Sequence, residues 1–333
     1  MKKRNLALAF AGGIGAAVAV KMLTRAKTVR WDDVADKVAH HENSHFTNVD
    51  GCHVHFQQFG EDSNPTILLI HGFTASTYVW NTTAPQLADA GFNVIAIDLI
   101  GFGYSEKPRW FEYSIEAQAR MVSRFMNRLG IGRATIVGSS YGGAVAATLA
   151  LDYPERVEKL VLVDAVCNDG PKNHPLMRLG AFPGLGEALT PFILDSKRFA
   201  ASRMQSTLAP ANHHLITQER IDSVVRPLSA ADAHHSVLAS SRNWHATRIE
   251  RDANLINQPT LIIWGEEDHV VPLRDGDSLH RSILNSRFVV LPNCGHVPQE
   301  EKSEVFSSLV VEFCRHKKGR IEAKDDEEIR IEA

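Results

Sequence analysis

Six short, almost uninterrupted apolar runs recur along the chain: TILLI (66–70), NVIAI (93–97), ATIVG (134–138), KLVLV (159–163), TLIIW (260–264) and RFVVL (287–291). None alternates as a strand with one wet face would, so each must be covered on both sides. Strands of that kind belong to a parallel sheet sandwiched between helices. The intervening segments 114–129, 141–153, 273–284 and 301–316 carry the helical period needed to cover them. Ahead of them, Asp50-Gly51 joins two alternating stretches and predicts one β-hairpin. The expected fold is α/β, a mostly parallel, doubly wound sheet with a small antiparallel start.

One interval breaks this rhythm. Between 168 and 257 there is no strand-like run, and Pro171, Pro175, Pro183, Pro191, Pro210 and Pro227 chop the segment into short pieces. A gap so long cannot be a bare loop inside a compact fold, so it is expected to be an inserted helical cap, splitting the core into 46–167 and 258–316. From 317 to 333 the chain is mostly charged and is expected to be a solvated, disordered tail.

The amino terminus, 1–30, has a different character. Lys2, Lys3 and Arg4 precede a stretch from Leu6 to Val20 free of charge, closed by Lys21. That is long for the apolar part of a cleaved signal and shorter than the roughly 18 to 20 residues that span a bilayer. Two readings follow. An uncleaved anchor would make the protein membrane-associated; cleavage after the small-x-small stretch Ala17-Val18-Ala19 would make it secreted or periplasmic. Cations flank both ends, so the positive-inside rule assigns no orientation.

Lys and Arg total 36 against 39 for Asp and Glu, a formal charge of −3, which gives no basic field for nucleic acid. Cys52, Cys167, Cys294 and Cys314 lie far apart, without a CxxC pair, and are expected as small buried hydrophobes. No GxGxxG or GxxxxGK[ST] pattern marks a nucleotide or redox cofactor, and none is expected.

Chemistry concentrates where strands end. In GSSYGG, Ser140 stands between a strand and a helix with Gly138 two before and Gly142 two after. Such a turn is tight, and larger side chains at the glycines would meet neighbouring backbone. It lifts the hydroxyl above the carboxyl edge of the sheet and leaves the Tyr141 amide at a helix start, ready to donate to an anion. A serine hydroxyl needs a base to attack, and the base needs an orienting group. Of 16 histidines, His296 in NCGH follows the last strand and precedes the final helix, at the same sheet edge. Asp268 in WGEEDHVVP follows the strand 260–264, with Asp164, after 159–163, in reserve. The order Ser140, Asp268, His296 is nucleophile, acid, base.

With these residues in place the chain resembles the α/β-hydrolase superfamily over roughly 46–315. The resemblance rests on HGF (71–73), DLIGFGYS (98–105), GSSYGG, WGEEDHVVP and CGH in that order. It implies an oxyanion hole built from the backbone amides of Phe73 and Tyr141. Within the superfamily, epoxide hydrolases and haloalkane dehalogenases carry aspartate at the Ser140 position. Hydrolases of ring-fission carbon-carbon bonds use serine, but usually set tryptophan where this chain has Val297 and asparagine where it has Ser139. The remaining expectation is a serine esterase or lipase acting on a small, apolar ester, resembling membrane-associated monoacylglycerol-type lipases. A carbon-carbon hydrolase and a ligand receptor on the same fold are the alternatives.

Other tempting residues have plainer readings. Asp98 is expected to tie down its own glycine-rich loop, and His71 to brace the oxyanion loop. His53 and His55 share a strand face at a spacing a metal could use but lack a third ligand nearby in sequence, so no metal site is expected. Trp80, Trp244 and Trp264 are expected to be packing. The cap segment LGAFPGLGEALTPFIL (179–194) is apolar enough to line an acyl pocket or simply to be cap core.

Overall fold

In the computed structural model, the residues described are 28–170 and 182–316, together with the backbone of 329–330. The anchor or signal expectation, made for 1–30, rests on the charge-free stretch Leu6 to Val20, which lies outside these residues. Among the described residues no helix is long and apolar enough to cross a membrane.

The strands are β1 (Ser44–Val49), β2 (Cys52–Phe59), β3 (Thr66–Ile70), β4 (Asn93–Ile97), β5 (Ala134–Ser139), β6 (Val157–Val163), β7 (Thr260–Gly265), β8 (Ser286–Leu291) and β9 (Ile329–Arg330). They form one sheet in the order β1-β2-β4-β3-β5-β6-β7-β8-β9. β1 and β2 pair antiparallel, as do β2 and β4, and all later pairs are parallel. The hairpin turns at Asp50 and Gly51, both in the left-handed region with φ of 51° and 86°, as a two-residue Asp-Gly turn requires.

The apolar runs do what continuous hydrophobicity demands. Leu68 and Ile70 of β3, Ile136 of β5 and Ile262 of β7 join the core on one face of the sheet. Ile67, Leu69, Val137 and Ile263, one residue out of step, join the core on the other. A strand alternates its side chains between two faces, so an all-apolar strand supplies two cores.

Among the described residues the helices are α1 (Thr83–Asp89), α2 (Ile115–Arg128), α3 (Tyr141–Asp152), then in the insertion α4 (Leu185–Leu194), α5 (Lys197–Thr207), α6 (Gln218–Leu228), α7 (Ala231–Arg242) and α8 (Thr247–Asp252), then α9 (Leu273–Ser282), α10 (Pro298–Glu301) and α11 (Ser303–Arg315). Ser114 caps α2 by accepting from the Ala117 amide, which starts the helix where its period begins. α1 lies outside the segments expected to be helical; it is short, and its sequence TAPQLAD gives the period too few turns to register.

The helix expected at 301–316 is α11, preceded by the short α10 that carries Glu300 and Glu301. One expectation needs correction. The carboxy-terminal segment is not wholly a solvated tail. Ile329–Arg330 pair parallel with Val289 and Val290 on the free edge of β8, since an edge strand offers open backbone groups to any apolar stretch that reaches it. All four cysteines are free, and three of them are buried.

Candidate active site

β5 ends one residue before Ser140, and α3 begins one residue after it. Ser140 takes φ of 54° and ψ of −117°, a conformation a non-glycine residue adopts only when its surroundings impose it. The surroundings are visible. The Ser140 amide donates to the Val163 carbonyl at 2.9 Å, and its carbonyl accepts from Val166 at 3.0 Å. A Cβ on Gly138 would lie 2.3 Å from the Gly142 carbonyl oxygen, and one on Gly142 would lie 2.3 Å from that of Ile70. The glycines are there because neighbouring backbone fills the space of a side chain.

The three residues singled out from sequence meet. The Ser140 hydroxyl donates to His296 Nε2 at 2.9 Å. On the other side of the ring, His296 Nδ1–H donates to Asp268 Oδ2 at 2.8 Å. The second oxygen of Asp268 accepts from the amides of Val270 and Val271, at 2.7 and 3.0 Å. Those bonds aim the carboxylate at the ring, so the imidazole keeps the tautomer in which Nε2 is free to take a proton.

Asp164, the reserve acid, sits in the same pocket. It is fully buried, accepts from the Gly265 amide at 2.9 Å and bonds neither His296 nor Ser140. Its carboxylate, that of Asp268 and the His296 ring bring ligand atoms within 4.8 Å of one another. Burial first, and the negative charge of Asp268 second, push the Asp164 carboxyl well above the usual range, against the opposing Gly265 amide. Of the two acids Asp164 is thus the one that burial and its neighbour push toward the protonated form.

The candidate oxyanion loop passes directly against the serine, since a Cβ on Gly72 would be 3.1 Å from Ser140 Cβ. Among the described residues neither the Phe73 nor the Tyr141 amide has an intramolecular acceptor. His71 braces this loop, its Nδ1–H donating to the Gly72 carbonyl at 2.7 Å while Nε2 accepts from the Leu99 amide at 3.1 Å. Burial lowers its pKa, with nearby Asp98 opposing. Asp98 ties its own loop, accepting from the amides of Thr77 at 2.7 Å and Tyr104 at 2.8 Å.

The partner of Asp98 is not legible in sequence. His55 Nδ1 lies 2.7 Å from Asp98 Oδ2, both side chains being fully buried. Burial opposes the charge on Asp98, but His55, His71 and the Tyr104 amide together hold its pKa below normal. His53 is exposed on the same strand face, so the two histidines part company.

Glu301 is a second residue that sequence reasoning misses. It accepts from the Gly295 amide at 3.0 Å to each oxygen and from Val297 at 3.2 Å, clamping the loop that carries His296. From the cap it accepts the Ala209 amide at 2.9 Å and Asn212 Nδ2 at 2.8 Å. Its neighbour Glu300 pairs with Arg220 of α6 at 3.0 Å. A glutamate three residues into a charged helix start has no sequence signal that separates it from a solvated one.

An aromatic wall packs beside the serine. Trp244 of the cap meets Phe73 at 5.4 Å and Tyr141 at 5.0 Å between ring centroids, and Phe102 meets the same two rings at 5.8 and 6.3 Å. Trp244, expected to be packing, is buried and packs on Phe73 and Tyr141, the candidate oxyanion residues.

A family model described as alpha/beta hydrolase fold matches residues 65–303. The chain is 30% identical to an uncharacterized hydrolase, YugF, of Bacillus subtilis over 272 residues, 80% of this chain and 96% of that protein. Its structure resembles that of a meta-cleavage product hydrolase from Pseudomonas fluorescens, with 27% identity, TM-score 0.71, and coverage of 82% of this chain and 98% of the other. It also resembles a bacterial membrane phospholipase A, with 26% identity, TM-score 0.68, and coverage of 94% and 98%.

Proposed function

The chain belongs to the α/β-hydrolase fold family, and from that membership we propose that it is a serine hydrolase of carboxylic esters with apolar acyl chains. The observation that carries the reading is the unbroken relay from Ser140 through His296 to Asp268, at 2.9 and 2.8 Å. As the Ser140 oxygen attacks the ester carbonyl, its proton passes to His296 Nε2, and the Asp268 carboxylate steadies the imidazolium. The carbonyl oxygen gathers negative charge between the Phe73 and Tyr141 amides. Collapse expels the alcohol, which takes the proton from His296, and leaves Ser140 acylated. Water, deprotonated by the same histidine, then releases the acid.

An ester is favoured over a carbon-carbon bond by what flanks the relay. Ser139, behind the nucleophile, is occupied by Gln299 Nε2 at 3.3 Å, and Val297 stands where ring-fission hydrolases usually carry tryptophan. The aromatic wall of Phe73, Phe102, Tyr141 and Trp244 suits an apolar chain. A monoacylglycerol, a single acyl chain on a small polar alcohol, is the substrate type proposed. Cleavage of a ring-fission carbon-carbon bond is the second reading, favoured by the likeness to the meta-cleavage product hydrolase.

On the same proposal the protein works at a membrane, where such lipids reside, through the charge-free stretch Leu6 to Val20. Phe182, Leu185 and Phe192 at the outer cap are exposed at 61%, 43% and 42% and would face the lipid.

A fluorophosphonate probe tests the chemistry: labelling lost in Ser140→Ala is expected, and its absence in the intact protein defeats the enzyme. Acyl esters of graded length against a ring-fission dienoate then separate the two bonds. Faster turnover of the dienoate would replace the first reading with the second.

A further inference from the structure

Among the described residues, Arg203 is a cation with no anion beside it. It projects from α5, half-buried, and its Nη1 donates to Thr74 Oγ1 at 2.9 Å. Thr74 in turn donates to the Phe73 carbonyl at 2.6 Å, so the guanidinium is two hydrogen bonds from the backbone of the candidate oxyanion loop. Four residues on, on the same face of the helix, the Thr207 carbonyl accepts the His296 amide at 2.8 Å. The last turn of α5 therefore spans the cleft between oxyanion loop and base, with Arg203 on its inner side.

Other arginines of the cap, buried or half-buried, have a carboxylate. Arg220 has Glu300 at 3.0 Å, and Arg242 has Glu187 at 2.9 Å. Beside Arg203 burial alone acts, lowering its pKa, and among the described residues no carboxylate offsets it. Taking a guanidinium partly out of water without a counter-ion costs stability, and one hydrogen bond to a hydroxyl returns little of it. Its remaining N–H groups keep the planar fork that matches a carboxylate or phosphate.

We propose that Arg203 receives an anionic group, phosphate or carboxylate, carried by the ester substrate, and so selects charged over neutral esters. The proposal rests on the ester reading above and narrows it: the substrate keeps the single apolar acyl chain, and its small alcohol carries a negative group within reach of α5 in place of the neutral glycerol of a monoacylglycerol.

Three matched esters test it: 1-octanoylglycerol, its 3-phosphate, and the octanoyl ester of glyceric acid. The intact protein should favour one charged ester over the neutral one by tenfold or more in kcat/KM, and which one identifies the anion. In Arg203→Gln that ratio should collapse toward one, and Arg203→Lys should restore part of it. Equal rates on all three esters, or an equal loss on all three in Arg203→Gln, overturn the proposal. If none is hydrolysed, the ester reading fails, and the anion site is still decided by binding. Calorimetry of Ser140→Ala with glycerol 3-phosphate and with glycerate should show one ligand binding, at least tenfold weaker once Arg203→Gln is added. No binding of either ligand, or binding that ignores Arg203, overturns it.

Discussion

The backbone amide of His296 donates a 2.8 Å hydrogen bond to the carbonyl of Thr207, joining the candidate base to the cap. A Cβ on Gly295 would lie 2.4 Å from that same carbonyl oxygen, so no side chain fits between the two segments. The α5 end of the cap is thus part of the frame that aims the imidazole.

Glu301 holds this frame from beneath, through the amides of Gly295, Val297 and Ala209 and the side chain of Asn212. Glu301→Ala leaves those buried donors unpaired and should cost about 3 kcal/mol in denaturant unfolding. Because it loosens the loop of His296, kcat should fall more than KM rises. A variant that unfolds earlier yet turns over normally would show that the clamp serves stability alone.

Adjacent aspartates should respond in opposite ways. Asp268 accepts from His296 Nδ1, and Asp268→Asn should lower kcat on the order of 10⁴-fold, since an amide presents the wrong hydrogen-bond polarity to the ring. Asp164 makes no bond to the ring and is pushed toward its protonated form, so Asp164→Asn should hold kcat within about threefold. Equal losses in steady-state assays would mean the charge is shared.

Glu300 links stability to pH. Burial pushes its carboxyl from 4.5 up to about 7, with Arg220 opposing and Glu301 adding to the rise. The folded state then holds a proton that the unfolded state releases at lower pH. Its contribution is complete below about 4.5 and is lost as pH rises through about 7. Unfolding free energies measured from pH 4 to 8 should decline over that window, and Glu300→Gln should flatten the decline.

The nucleophile's turn should tolerate nothing beyond glycine at 142, where a Cβ would meet the carbonyl oxygens of Ile70 and His71 at 2.3 and 2.4 Å. Gly142→Ala is expected to cost about 3 kcal/mol or prevent folding. Gly132→Ala, with open space around it, should change the unfolding free energy by no more than about 0.5 kcal/mol.

Much of this site is legible in the sequence, because its grammar is local. Apolar runs bury both faces of a strand, and a ligand-binding loop must follow the carboxyl end of such a strand. Ser140, Asp268 and His296 each announce themselves by following one. Asp164 follows one too and stands in reserve to Asp268 in the sequence; in the fold the two differ by which carboxylate reaches the His296 ring and finds two amides, and that one is Asp268.

What the sequence determined by itself was the α/β order, the sheet's covered strands and the identity of the relay, since these depend on neighbours a few residues apart. Only the tertiary structure decided the contacts made across the fold. His55 against Asp98 spans 43 residues, Glu301 against Ala209 spans 92, and Arg203 against Thr74 spans 129. No periodicity encodes a contact at that range. A buried charge is distinguished from a solvated one by what packs on it, and that is settled when the cap closes over the sheet edge.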